Sequence, residues 1–167
     1  MPEEMFDVCD EQDRVIGQAA RAVVHARGLL HRAVHIWVFR SDGRLLIHLR
    51  SKTKDEYPLR YTSSASGHVD AGETYDAAVV RELREELGVE LRLTRLVMIP
   101  GGPNTANEHT VLYRCESDGP FSPDPGEIAR IEWRTIDEIA ARIDRHPDDF
   151  TPPFRTLFAW YVRASTP

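Results

Sequence analysis

Between Gly67 and Val89 the chain reads GHVDAGETYDAAVVRELREELGV, with glutamates at positions 82, 85 and 86. On a helix turning about 100° per residue, Glu82, Glu85 and Glu86 fall within an arc of about 100°, while Val80, Leu83 and Leu87 fill a separate arc of about 60°. Like charges three and four residues apart repel by about 0.2–0.5 kcal/mol per pair, and Arg81 and Arg84 offset only part of this. A divalent cation turns the repulsion into affinity. Oxygen ligands that leave room for water and for substrate phosphates suit Mg2+ or Mn2+ better than zinc. The plain alternative is a solvated acidic face beside a core stripe.

The flanking residues place this helix. Thr74 is a capping residue before Tyr75, Asp76 favours the positive end of the helix, and Gly88 follows Leu87 where a left-handed cap belongs. Upstream, MFDVCDEQDRVIGQ reads as two short strands around a polar turn, and ARAVVHARG as a short helix closed by Gly28. In RAVHIWVFRSDGRLLIHLR, Val34, Ile36 and Val38 alternate with their neighbours, Asp42-Gly43 turns, and Leu45, Ile47 and Leu49 return, which predicts a hairpin. A basic loop, SKTKDEYPLR, leads into the acidic segment. Strands are expected at Leu93 to Ile99 and in HTVLYRCE and ARIEWRTI, with a Gly/Pro/Asn loop from Pro100 to Asn107. Two helical patterns, IDEIAARID and FRTLFAWYVRA, follow around the Pro147 to Pro153 break. Strands and helices interleave without regular repetition, so the expectation is an α+β fold built on a mixed sheet with helices on both faces.

Composition narrows the function. The 167 residues suit one domain, positions 1–167, opened by the strands and short helix of residues 1–30. No apolar stretch is long enough to span a membrane, and the acidic start lacks the pattern of a secretory signal, so a cytoplasmic location is expected. Cys9 and Cys115 are too few for a disulfide framework and are expected as reduced, mostly buried thiols. A net charge of -6 argues against nucleic acid as a partner. A phosphate ester would have to be held by local cations, for which Arg50 and Lys54 of the basic loop, which also carries Lys52 and Arg60, are the candidates. Trp37, Trp133, Phe154 and Trp160 fall in strand and helix patterns, where core packing is the expectation ahead of base stacking.

The acidic segment resembles the Nudix box, G-x5-E-x7-R-E-U-x-E-E-x-G-U, with U a bulky aliphatic. Gly67, Glu73, Arg81, Glu82, Leu83, Glu85, Glu86, Gly88 and Val89 fill every fixed position across residues 67–89. The resemblance implies the Nudix fold, an α/β/α sandwich around a mixed β-sheet, and Mg2+-dependent hydrolysis of a diphosphate linked to another group, as in nucleoside-diphosphate derivatives. It implies metal contacts from Glu82, Glu85, Glu86 and the Gly67 carbonyl. Arg81 would hold the box carboxylates by ion pairing, and Glu73 would be a structural partner at the start of the helix. The general base varies in the family: it is one of the box glutamates or, often, a glutamate outside the box, where Glu127 stands. The resemblance also makes a homodimer an expectation. Some members use the fold without catalysis, as ligand-binding modules.

A second resemblance lies inside the same superfamily. VVHARGLLHRAVHIWVF and RSKTKDEYPLRYTSSASGHVDAGE are similar to the isopentenyl-diphosphate isomerase branch and its hydrolase-like relatives. That resemblance implies a second cation site at His25, His31, His68 and Glu108, whose imidazoles suit Zn2+ or Mn2+. Ala106 stands where the isomerases have a further glutamate, and Ser66 where they have the catalytic cysteine. Moving a double bond needs one proton given and another taken, so these departures favour hydrolysis over isomerisation.

Overall fold

In the computed structural model, which describes residues 2–167, the elements in chain order are β1 (Met5–Cys9), β2 (Val15–Ala20), α1 (Arg21–Arg27), β3 (His31–Phe39), β4 (Leu45–Arg50), β5 (Tyr61–Thr62) and β6 (Ala65–His68). They continue with α2 (Tyr75–Leu87), β7 (Thr94–Ile99), β8 (Glu108–Glu116), β9 (Ile128–Arg134), α3 (Ile136–Arg145) and α4 (Pro152–Ser165). The mixed sheet runs β5-β4-β3-β8-β7, with β6 also paired to β3 and β9 to β4, while β1 and β2 form a separate ribbon. Only β3 and β8 pair in parallel.

Strand β3 is buried on both faces. Val34, Ile36 and Val38 pack against Val79, Leu83 and Leu87 of α2, while Trp37 and Phe39 meet Ile139 of α3 and Phe154, Leu157 and Phe158 of α4. Such double burial is why its sequence lacks a clean polar alternation. Helices on opposite faces complete the α/β/α sandwich expected from the sequence. Trp37 and Phe154 are core residues, and Trp133 and Trp160 lean on the two cores partly buried. Cys9 and Cys115 are buried free thiols. Among the described residues no helix is long and apolar enough to cross a membrane.

Helix α2 forms as its caps dictate. The Thr74 side chain accepts from the Ala77 amide at 3.1 Å, and Gly88 takes φ 70°, a left-handed conformation that spares it the Cβ clash of other residues. Its buried line differs from the expected one: Val80 is exposed, whereas Val79, Leu83, Glu86 and Leu87 face the sheet. The buried arc is turned by about 50°, half a residue, from the expected one, which keeps Leu83 and Leu87 inside and places Glu86 there too instead of in solvent.

The predicted hairpin also differs. β3 and β4 pair only at Phe39 and Leu45 beside the turn. Beyond that point the strands part, and residues 61–68, which the sequence did not mark as strand, pass between them as β5 on β4 and β6 on β3. Ser64 holds the wedge, its hydroxyl donating to the Leu46 carbonyl at 2.6 Å and accepting from the Val38 amide at 2.8 Å. This insertion sets Ser66, Gly67 and His68 beside the middle of the sheet.

Candidate active site

Gly67 and α2 meet so closely that their chemistry is joined. A Cβ at Gly67 would overlap the carboxyl of Glu82, so the absent side chain is what lets the carboxylate lie against the β6 backbone. One turn on, the Ser66 amide donates to Glu86 Oε1 at 2.6 Å. Glu85 is the outermost of the three, with a side chain 56% exposed. Burial pushes Glu82 up to about 7 against the pull of Arg81, and burial with the charge of Glu82 pushes Glu86 well above the carboxylate range. Carboxylates that are this costly to ionise without a countercharge suit a site that takes a cation.

Arg81 organises the group. Its Nε and Nη2 donate to the two oxygens of Glu73 at 2.9 and 2.8 Å, a two-pronged pair of the kind that fixes orientation. Nη1 reaches Glu82 at 2.7 Å and Glu85 at 3.3 Å, and Nη2 also donates to the His68 carbonyl at 3.0 Å. Glu73 in turn accepts from the Asp70 amide at 3.0 Å, tying the loop before α2. Gly88, at the far end of the helix, places its amide on the Arg84 carbonyl.

These groups open on one cavity of about 700 Å³, lined by Gly67, Arg81, Glu82, Glu85, Glu86 and Glu127 at its acidic part. Arg50, Lys54, His68 and Glu108 line it too, so most of the residues singled out in the sequence share one space. Lys54 Nζ pairs with Glu127 at 2.6 Å, and the Arg50 guanidinium donates to the Glu56 carbonyl at 3.0 and 2.7 Å. The aromatic side chains on the cavity are Phe6 and Tyr57, not the three tryptophans or Phe154.

Behind His68 lies a second cluster. Register brings it together: His31 on β3 pairs with Glu108 on β8, Ala33 with His68 on β6, and α1 delivers His25. Ligand atoms of His25, His31 and His68 all lie within 4.8 Å of one another, as do those of Glu56, His68 and Glu108. His31 Nδ1–H donates to the Leu29 carbonyl at 2.8 Å, which leaves a lone pair on its Nε2. That Nε2 and the Nε2 of His25 are buried without a hydrogen-bond partner. Burial lowers His31 to about 4 and His68 to about 3, and raises Glu108 to about 7. Two orphaned nitrogens beside neutral rings and a carboxylate fit a cation of the zinc or manganese type. Glu56, whose carboxylate is 3.5 Å from His25 Nδ1, was missed in the sequence. The loop carries Asp55 and Glu56 side by side, and nothing in the sequence chose between them. Ala106 lines the same cavity and offers no ligand.

The family described as NUDIX domain matches residues 29–160. An uncharacterized Nudix hydrolase of Streptomyces coelicolor is 48% identical over 94% of this chain and 87% of its own length. An isopentenyl-diphosphate Delta-isomerase of Serratia proteamaculans is 33% identical, over 93% of this chain and 89% of its own. A crystal structure of a Deinococcus radiodurans protein superposes with a TM-score of 0.79 at 33% identity, covering 86% of this chain and 90% of that one.

Proposed function

The chain belongs to the Nudix family, and from that membership we propose that it is a cation-dependent pyrophosphohydrolase cleaving a diphosphate linked to a nucleoside or a similar group. The observation that carries this reading is the convergence of Glu82, Glu85, Glu86 and Glu127 on one cavity beside Gly67. Glu82, Glu85, Glu86 and the Gly67 carbonyl would hold Mg2+ or Mn2+. When bound, the cation supplies charge against the phosphate oxygens and acidifies water. Arg81 keeps the carboxylates aimed, through Glu73 on one side and Glu82 on the other. Arg50 and Lys54 stand to meet phosphate oxygens, Lys54 exchanging its pair with Glu127 for the substrate. Released from that pair, Glu127 can accept a proton from the attacking water. A panel of diphosphates assayed for phosphate release with Mg2+, with Mn2+ and with chelator tests the reading. Turnover that requires the cation is expected; no turnover of any diphosphate would end it.

Similarity to the Serratia isomerase makes double-bond isomerisation the second reading. Ser66 is a far weaker acid than a cysteine and Ala106 has no proton to exchange, so isopentenyl diphosphate should yield no dimethylallyl diphosphate. Proton NMR of the incubated substrate, run beside the phosphate assay, separates the two; steady formation of the allylic product would reverse the order.

The histidine cluster is proposed as a second cation site, held by His25, His31, His68 and Glu108, with Glu56 standing in for the carboxylate lacking at Ala106. His31→Ala should lower the Mn2+ or Zn2+ retained on purification without chelator, and weaken affinity by at least about tenfold. The readout is metal content and thermal shift on titration, because a cation that binds only the folded chain raises its midpoint. Equal metal content in parent and variant would retire the site.

A further inference from the structure

His35 lies on β3 opposite Ser66, buried to 4% exposure, and lines the same cavity as the box carboxylates. Its Nδ1 is 2.7 Å from the hydroxyl oxygen of Ser63. The Trp37 indole N–H donates to that same oxygen at 2.9 Å. Ser63 is fully buried, and an indole N–H cannot accept, so among the described residues the hydroxyl proton has one acceptor in reach, the Nδ1 of His35. The proton of the neutral ring therefore sits on Nε2. Burial, with the charges of Arg50 and His48 adding to it, holds the ring at about 3, so it stays uncharged at working pH. Among the described residues Nε2 has no hydrogen-bond partner, yet it does not belong with the sealed, unpartnered nitrogens of His25 and His31. His35 lines the cavity, so the small exposed part of the residue is turned toward it.

We infer that His35 is a specificity residue whose Nε2–H donates to a hydrogen-bond acceptor on the organic part of the substrate, selecting diphosphates of nucleoside type over hydrocarbon diphosphates. The inference rests on the hydrolase reading for its substrate but on the Trp37–Ser63–His35 chain for its direction. The cavity carries carboxylates as well as the neutral Ala33, Thr62, Thr151 and Pro153, and His35, sharing the Ser63 hydroxyl with Trp37, belongs to the sheet face turned away from α2 and its glutamates. A base or sugar oxygen satisfies the His35 N–H. A prenyl chain would displace water from it and give nothing back, and a site built to donate a hydrogen bond discriminates strongly against a ligand lacking the acceptor.

The test compares parent, His35→Leu and His35→Gln on the four common nucleoside diphosphates and on isopentenyl and dimethylallyl diphosphate. The parent should prefer the nucleoside diphosphates by at least about tenfold in kcat/KM, and His35→Leu should raise their KM roughly 10- to 100-fold with kcat little changed. Prenyl diphosphate rates should not move, and His35→Gln, which keeps an N–H at similar reach, should recover most of the loss. Independently, 15N NMR of the parent should find His35 protonated on Nε2, and that signal should shift when an α,β-methylene nucleoside diphosphate is added. Equal use of prenyl diphosphates, a loss shared by all substrates, or a proton on Nδ1 would overturn the inference. A parent inert toward every diphosphate would sink the hydrolase reading alone, and the NMR titration would still decide the role of His35.

Discussion

Glu86→Gln is expected to fold as the parent does and to lose turnover by about 10²- to 10³-fold, the loss that neutralising one proposed oxygen ligand worth several kcal/mol of charge stabilisation would bring. The fold survives because the Gln side chain keeps a carbonyl oxygen for the Ser66 amide, which now bonds Glu86 at 2.6 Å. The site suffers because an amide cannot ionise to meet a cation. Glu82→Gln should behave alike, keeping an acceptor for Arg81. Circular dichroism and a thermal midpoint near that of the parent, beside kcat measured at saturating Mg2+, check the pair. A folded Glu86→Gln protein working at the parent rate would remove these carboxylates from the chemistry.

Gly67→Ala is the second large effect. The new methyl falls on the Glu82 carboxyl, which is the mobile end of a side chain, so the carboxyl gives way before the β6 backbone does. Displacing a positioned group by about 1 Å can cost on the order of 10²-fold in rate. We expect that drop with the fold retained. Because the harm passes through Glu82, the double variant Gly67→Ala/Glu82→Gln should be hardly worse than the poorer single variant. Losses that multiply would show that Gly67 acts by another route, through its carbonyl or the strand itself.

The acidic helix was legible because its information is local. Thr74 and Gly88 announce its ends, and the box spacing names its carboxylates within 23 residues. Its rotation was not, since Val79 and Val80 are equally apolar and only the sheet decides which one is buried. β5 and β6 escaped for a similar reason. TSSASGH lacks bulky β-branched alternation, and its strand character comes from β3 and β4 on either side. His35 read only as a neighbour alternating with Val34 and Ile36, because its distinction depends on Ser63, 28 positions away. The histidine cluster was visible only through resemblance, and Glu56 only after folding brought it to His25.

The wedge of residues 61–68 between β3 and β4 bears on how the chain reaches its native state. An ordinary hairpin zips from its turn within microseconds, using contacts close in sequence. Here zipping stops after Phe39 and Leu45, and the remaining edges stay open for a segment that must arrive from some 20 residues further on. Closing that longer loop lies on the slow side of assembly. The strand carrying Ser66 and Gly67 is thus stitched in as the sheet is completed. β6 pairs with β3 on one side, and on the other its Ser66 amide is held by the Glu86 carboxyl of α2. Freeing β6 from β3 would carry the Gly67 and Ser66 backbone away from Glu82 and Glu86, so the order of the sheet and the order of the carboxylate cluster rise and fall together.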